Sequence, residues 1–132
     1  MSEKQFTLAD AQQLVPWLQE TFDGLTPLRN RIKHLTATIG DMLDRTRSNG
    51  HSDAEEQLEL YRRAIEEARE ALVERLAPVV ERGILVKSME LGLVDFPSLH
   101  EGRQVYLCWI DGEKQIKFWH ECNVGFAGRQ PI

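Results

Sequence analysis

The segment Gln104-Val105-Tyr106-Leu107-Cys108-Trp109-Ile110 contains the longest apolar run of the chain, and Asp111-Gly112 follows it at once. Apolar residues stand at both the odd and the even positions, which is typical of a strand with both faces covered. Asp-Gly is a strong hairpin signal. The alternating segment Ile116-Lys117-Phe118-Trp119-His120-Glu121 is therefore predicted to return as an antiparallel strand.

The register of this hairpin decides which face carries His120. A turn of two or four residues would place His120 on the face of Val105, Leu107 and Trp109. A turn of three residues would reverse the facing, because successive strand residues point to opposite sides of a sheet. The first facing is our prediction, and the sequence leaves the reversed one open. Ile84-Leu85-Val86-Lys87 is predicted as an earlier strand of the same sheet.

Helical spacing of apolar residues precedes the strands and predicts three helices. The first runs from about Thr7 to Phe22, with Thr7 and Asp10 as a capping box. The second begins at Thr26-Pro27, and the third begins at Ser52, where Ser52 and Glu55 form another capping box. The short turn at 48–51 makes the second and third helices antiparallel neighbours.

The predicted architecture is α+β: an N-terminal helix and a long antiparallel helical hairpin, followed by a small antiparallel β-meander. A chain of 132 residues is expected to form one domain, with a helical part at 1–83 and a β part at 84–132. The apolar seams of the hairpin repeat as in a coiled coil. A small sheet and one short helix would leave part of them uncovered, so we predict a homodimer through the hairpin.

Composition and charge exclude several classes of function. Hydrophobic residues make up 42% and charged residues 28%, as in ordinary globular proteins. No apolar run is long enough to span a membrane, and the N-terminus lacks signal-peptide features. The net charge of -5 argues against binding to nucleic acid, although residues 26–52 carry +3. Two cysteines in such a chain suggest a cytoplasmic protein with free thiols.

Several segments of the C-terminal third together resemble the bacterial domain-of-unknown-function family 2203. These segments are Gly92–Pro97, Val105–Trp109, Trp119–Glu121 and Gly125–Pro131. Phe6-Thr7-Leu8 and Leu14-Val15-Pro16 are similar to the opening of that family, so the resemblance covers nearly the whole chain. It implies a helical pair with a C-terminal sheet, and it implies no activity and no catalytic residues.

The polar residues of these segments are the candidate ligand or interface residues: Asp95, His120, Glu121, Arg129 and Gln130. His120 is interpreted first as a buried histidine held by a hydrogen bond, with a metal ligand or general base as the functional alternative. Asp95 either caps a turn or forms an ion pair with Arg129. Glu121 follows His120 on a strand, so the two should point to opposite faces. Cys108 is expected on the face away from His120.

No complete catalytic motif is present, so we favour a homodimeric interaction or scaffold module with an unidentified protein partner. The alternative is a small-ligand- or metal-binding protein, or an enzyme, whose site beside the sheet contains Asp95, His120, Glu121 and Arg129. No cofactor is predicted, and His120 is the candidate ligand if a metal ion is bound. Convergence of these side chains within ~4–6 Å would favour the alternative.

Overall fold

The helices lie close to their predicted positions. The computed structural model describes residues 4–49 and 53–132, and contains α1 (Leu8–Gly24), α2 (Thr26–Asn49) and α3 (Asp53–Glu81). The capping box of α1 is confirmed: the Asp10 amide donates to Thr7 Oγ1 at 3.0 Å, and the Thr7 amide donates to Asp10 Oδ2 at 3.3 Å. The predicted turn at 48–51 is wrong for Ser48 and Asn49, which still belong to α2, and its other residues, with the box at Ser52, fall outside the described ranges.

Five strands follow the helices. They are β1 (Leu85–Ser88), β2 (Leu93–His100), β3 (Arg103–Ile110), β4 (Phe118–Glu121) and β5 (Gln130–Pro131), and a 3₁₀ turn, Phe126–Gly128, precedes β5. The sheet order β1-β2-β3-β4-β5 with antiparallel neighbours is a meander. The α+β prediction is therefore confirmed.

The sequence did not predict the long strand β2 or the short strand β5. Asp95 and Pro97 interrupt the apolar pattern of β2, yet it pairs with β3 along its whole length. The turn between them is Glu101-Gly102, and both residues have positive φ, 53° and 78°. Two such residues fit a tight two-residue hairpin. The two-residue hairpin of this sheet thus lies before β3. Asp111-Gly112 also forms a turn, closed by the Glu113 amide donating to the Ile110 carbonyl at 3.0 Å, but further loop residues follow it before β4.

Contacts divide the chain into two compact units. One contains α1, the end of α3 from Leu76, and the sheet; the other contains α2 and α3 up to Arg75. In the two-helix unit the seam residues Met42, Leu58 and Ile65 are buried. The single-domain organisation stays a prediction. Within the described ranges, no helix combines the length and the apolar character needed to cross a membrane.

The core of the sheet-containing unit forms where α1 meets one face of the sheet. Ala11, Val15, Leu18 and Phe22 of α1 are buried. The rings of Phe22 and Trp109 have centroids 5.9 Å apart, and Phe6 meets Phe96 edge-on at 5.2 Å. We call this side of the sheet the helix face; its buried strand residues are Val94, Phe96, Val105, Leu107 and Trp109. The other side is called the cluster face.

The predicted facing of His120 was wrong. His120 pairs with Tyr106, and Leu107 pairs with Trp119, so His120 lies on the cluster face with Cys108. The reason is the length of the connection at 111–117, which has an odd number of residues because loop residues follow the turn at Asp111-Gly112. The Trp109 indole donates to the carbonyl of Glu113 at 2.7 Å, and the amide of Ile116 donates to Gln12 Oε1 at 2.8 Å. This anchored loop gives the reversed register.

Candidate functional site

The register of three strands brings Asp95, Cys108 and His120 together on the cluster face. Asp95 of β2 pairs directly with Cys108 of β3, and His120 lies two residues from the β4 partner of Cys108. All three residues are buried, with exposed fractions of 2%, 0% and 3%. One ligand atom from each side chain lies within 4.8 Å of the other two. They form a cluster that we call the Asp-Cys-His cluster.

Both ring nitrogens of His120 face oxygen atoms. Nδ1 lies 2.8 Å from the carbonyl oxygen of Glu121, and Nε2 lies 3.0 Å from Oδ1 of Asp95. A carbonyl oxygen only accepts, so Nδ1 is assigned the hydrogen and donates it. Nε2 then meets a carboxylate oxygen, and this contact needs a proton or another cation between the two atoms. The prediction of a buried, hydrogen-bonded histidine is confirmed.

The thiol of Cys108 is chemically quiet in this setting. Burial first, and then the negative charge of Asp95, raise the pKa of Cys108 to about 12. A thiol with such a pKa carries almost no thiolate near neutral pH, and the thiolate is the nucleophile. The Asp-Cys-His cluster is therefore not arranged as an activated cysteine nucleophile, although its three ligand types are those of transition-metal sites.

Arg129 is the predicted residue whose partner differs most from expectation. Its Nη2 donates to both carboxylate oxygens of Glu113, at 2.8 and 2.9 Å. The guanidinium also lies over the rings of Phe118 and Phe126, at 4.1 and 4.6 Å from the centroids. Nε is buried and has no hydrogen-bond partner among the described residues. Arg129 therefore pairs with Glu113 and stacks on two aromatic rings, rather than binding Asp95.

Both interpretations of Asp95 were wrong. Asp95 lies within a paired strand rather than a turn, and its carboxylate contacts His120 rather than Arg129. A strand with a buried carboxylate was not expected, because an isolated buried charge is strongly unfavourable. The imidazole of His120 supplies the partner that makes this placement tolerable.

The side chains of Glu121 and Gln130 do not belong to the cluster. Glu121 points to the helix face, as predicted from its position next to His120, and pairs with Arg103 at 2.9 Å. Gln130 is exposed in β5 opposite Trp119. Of the five predicted residues, the structure brings only Asp95 and His120 together. It adds Cys108, which was predicted on the face away from His120. The sequence could have placed Cys108 beside His120 only through the odd length of the loop between β3 and β4.

Fold and site together define an α+β protein of three helices and a five-stranded antiparallel meander, with a buried Asp-Cys-His cluster on one face of the sheet. The chain belongs to the uncharacterized conserved protein family DUF2203, which matches residues 4–132. No curated protein matches it, and no solved structure does. The resemblance seen in the sequence is thus confirmed over essentially the whole chain.

Proposed function

We propose that this protein binds one divalent transition-metal ion of the zinc class through Asp95, Cys108 and His120. The observation that supports the proposal most directly is the convergence of three different metal-ligand types, all buried, within 4.8 Å. Thiolate, imidazole and carboxylate are the ligands that Zn²⁺ takes in proteins. Three protein ligands with a fourth, open position are typical of catalytic rather than structural zinc sites.

The His120–Asp95 pair requires little movement to accept an ion. Tetrahedral zinc with ordinary bond lengths places its nitrogen and oxygen ligands about 3.3 Å apart. Nε2 of His120 and Oδ1 of Asp95 are 3.0 Å apart. An opening of a few tenths of an ångström would therefore bring this pair to zinc geometry. The Cys108 thiol lies within 4.8 Å of both atoms and would have to approach them to about 3.6 Å.

Charge and outer contacts also suit the ion. A dication with one thiolate, one carboxylate and one neutral imidazole has no net charge, so the loaded cluster can remain buried. The Nδ1 contact to the carbonyl of Glu121 would hold His120 with Nε2 turned toward the ion, as metal-bound histidines commonly are. The nearby cation Arg129 is neutralised by Glu113, which limits its repulsion of a metal ion.

The test is a titration of the full chain with Zn²⁺ and with Co²⁺, after treatment with a chelator and dialysis. We expect one ion per chain. Bound Co²⁺ should show the charge-transfer absorption of a thiolate ligand and the intense visible bands of tetrahedral geometry. Cys108→Ser should abolish the thiolate band, and Asp95→Asn should weaken binding by about tenfold or more.

The matched control is Cys122→Ser. Cys122 is an exposed thiol whose Sγ contacts the carbonyl of Gln104, away from the cluster. This variant should keep full stoichiometry and the full spectrum. The proposal fails if the wild-type chain binds no ion, or if Cys108→Ser binds as well as wild type while Cys122→Ser does not. Circular dichroism of each variant separates loss of binding from loss of fold.

A second candidate function is the homodimeric interaction module, located in the cytoplasm, that the sequence suggested. One surface of α3 in the two-helix unit supports it. There the exposed Val73, at 59%, adjoins Arg62, Glu66, Arg69 and Glu70 around a concave surface. Side chains of both signs around an apolar centre could pair with a second copy of the same surface.

Native mass spectrometry of wild type and Val73→Glu tests this candidate. A dimer in wild type that dissociates in Val73→Glu would support self-association at this surface. Monomers at every concentration, or a dimer that Val73→Glu leaves intact, would overturn it. Leu91→Glu is the control, since Leu91 is an equally exposed apolar residue, at 63%, in the other unit.

A further inference from the structure

A cavity of about 590 Å³ lies on the helix face, on the side of the sheet away from the Asp-Cys-His cluster. Its floor contains Val105, Leu107 and Trp119 of β3 and β4, and Phe6 and Leu8 form part of its wall. The volume is within the range of pockets that enclose small molecules. Nothing in the metal proposal uses this cavity, so the two can be tested separately.

Two of the polar side chains that line this cavity, Ser98 and Gln5, are already hydrogen-bonded. The hydroxyl of Ser98 donates to the carbonyl of Phe6 at 2.7 Å, and the side-chain amide of Gln5 exchanges hydrogen bonds of 2.6 and 3.1 Å with Gln104, which does not line the cavity. A polar ligand would have to break these bonds without a better replacement. The interior therefore suits an apolar group.

The exposed side of the cavity has a different character. The ring of His100, which lines the cavity, stacks on Trp119 with centroids 5.2 Å apart. Arg103 is the strand partner of His100, on the same face, and its side chain is 58% exposed. Arg103 bonds Glu121 through Nη1, and the guanidinium has further donors in a planar fork that matches a carboxylate.

We infer that this cavity binds a small molecule with an extended apolar body and a terminal carboxylate, such as a medium-chain fatty acid. The apolar body would lie over Val105, Leu107 and Trp119. The carboxylate would lie outside, at His100 and Arg103. We infer this class of ligand because the interior of the cavity is apolar, with two of its polar side chains already hydrogen-bonded, and the exposed guanidinium of Arg103 lies beside it. An anionic head group also competes with Glu121 for Arg103, which makes the charge contribution measurable.

The experiment is calorimetric titration of the full chain with decanoate and with decan-1-ol, which has the same chain length and no charge. Wild type should bind decanoate more tightly than decanol. Arg103→Met should weaken decanoate by about tenfold and leave decanol unchanged, because only the carboxylate loses its partner. Glu121→Gln should strengthen decanoate, since it removes the competing carboxylate and leaves the backbone carbonyl that His120 uses.

Occupation of the cavity itself is tested by filling it. Leu8→Trp adds bulk to a wall residue that is 40% exposed, and should weaken both ligands. Leu91→Trp adds the same bulk at an exposed leucine away from the cavity and should weaken neither. Equal binding of decanoate and decanol by wild type and Arg103→Met overturns the head-group assignment. Binding that Leu8→Trp leaves unchanged, or no binding by wild type, overturns the site.

Discussion

The two faces of the meander are built from alternate residues of the same strands, yet they differ in kind. On the helix face, Trp109, Phe96 and Val94 are fully buried, and contacts with α1 such as Phe22 cover them. On the cluster face, the fully buried set includes Cys108 beside a carboxylate and an imidazole. Apolar burial is non-directional and tolerates small shifts, whereas the Asp95–His120 contact depends on distance and register.

The largest expected effect is on the helix face. Trp109→Ala should lower the free energy of unfolding by about 4 kcal/mol, because it leaves a large cavity and removes the indole bond to the Glu113 carbonyl. Urea unfolding followed by circular dichroism measures it. Trp119→Ala is the matched control: Trp119 is only half-buried, so its loss should be clearly smaller. Equal losses would contradict the prediction that the more deeply buried Trp109 contributes more to stability than Trp119.

Sequence patterns were sufficient for the helices and for the existence of β3 and β4. Thr7 and Asp10 mark the start of α1 because a capping box is local, and its atoms are within three residues of one another. The side of the sheet on which each residue of β4 lies could not be predicted from the local sequence. It depends on whether the connection from Ile110 has an even or odd length, and the contacts that fix this length come from Gln12 of α1.

The cluster was less accessible to sequence reasoning than the fold. Cys108 lies inside an apolar run, where a cysteine normally acts as a small hydrophobic residue. Asp95 precedes Phe96-Pro97, and that pattern suggested a turn. Only the pairing of β2 with β3, made possible by the Glu101-Gly102 turn, places the Asp95 carboxylate opposite Cys108. Such long-range pairing leaves no periodic signal in either segment.

A smaller effect is expected on the cluster face, and it should be non-additive. His120→Leu should destabilise the chain by about 3 kcal/mol, because it leaves the Asp95 carboxylate buried without its partner. The double variant Asp95→Leu with His120→Leu should lose much less than the sum of the single variants, since both buried polar groups are then gone. Urea unfolding with a chelator present measures the cycle. Strict additivity would mean that the two side chains do not interact.

The smallest expected effect is a pH dependence of the unfolding free energy, which Cys108 contributes on the cluster face. The folded chain raises the pKa of Cys108 to about 12, whereas the thiol of an unfolded chain has a pKa of about 8.5. Between these values the unfolded state holds fewer protons, so stability falls as pH rises and is fully present below about 8.5. The contribution to unfolding free energy lost between pH 8 and 10 is about 2 kcal/mol. Cys108→Ala should remove that part of the pH dependence, as measured by urea unfolding with a chelator present, while Cys122→Ala, at an exposed thiol, should retain it. Identical pH profiles for wild type and Cys108→Ala would mean that the fold does not hold the thiol protonated.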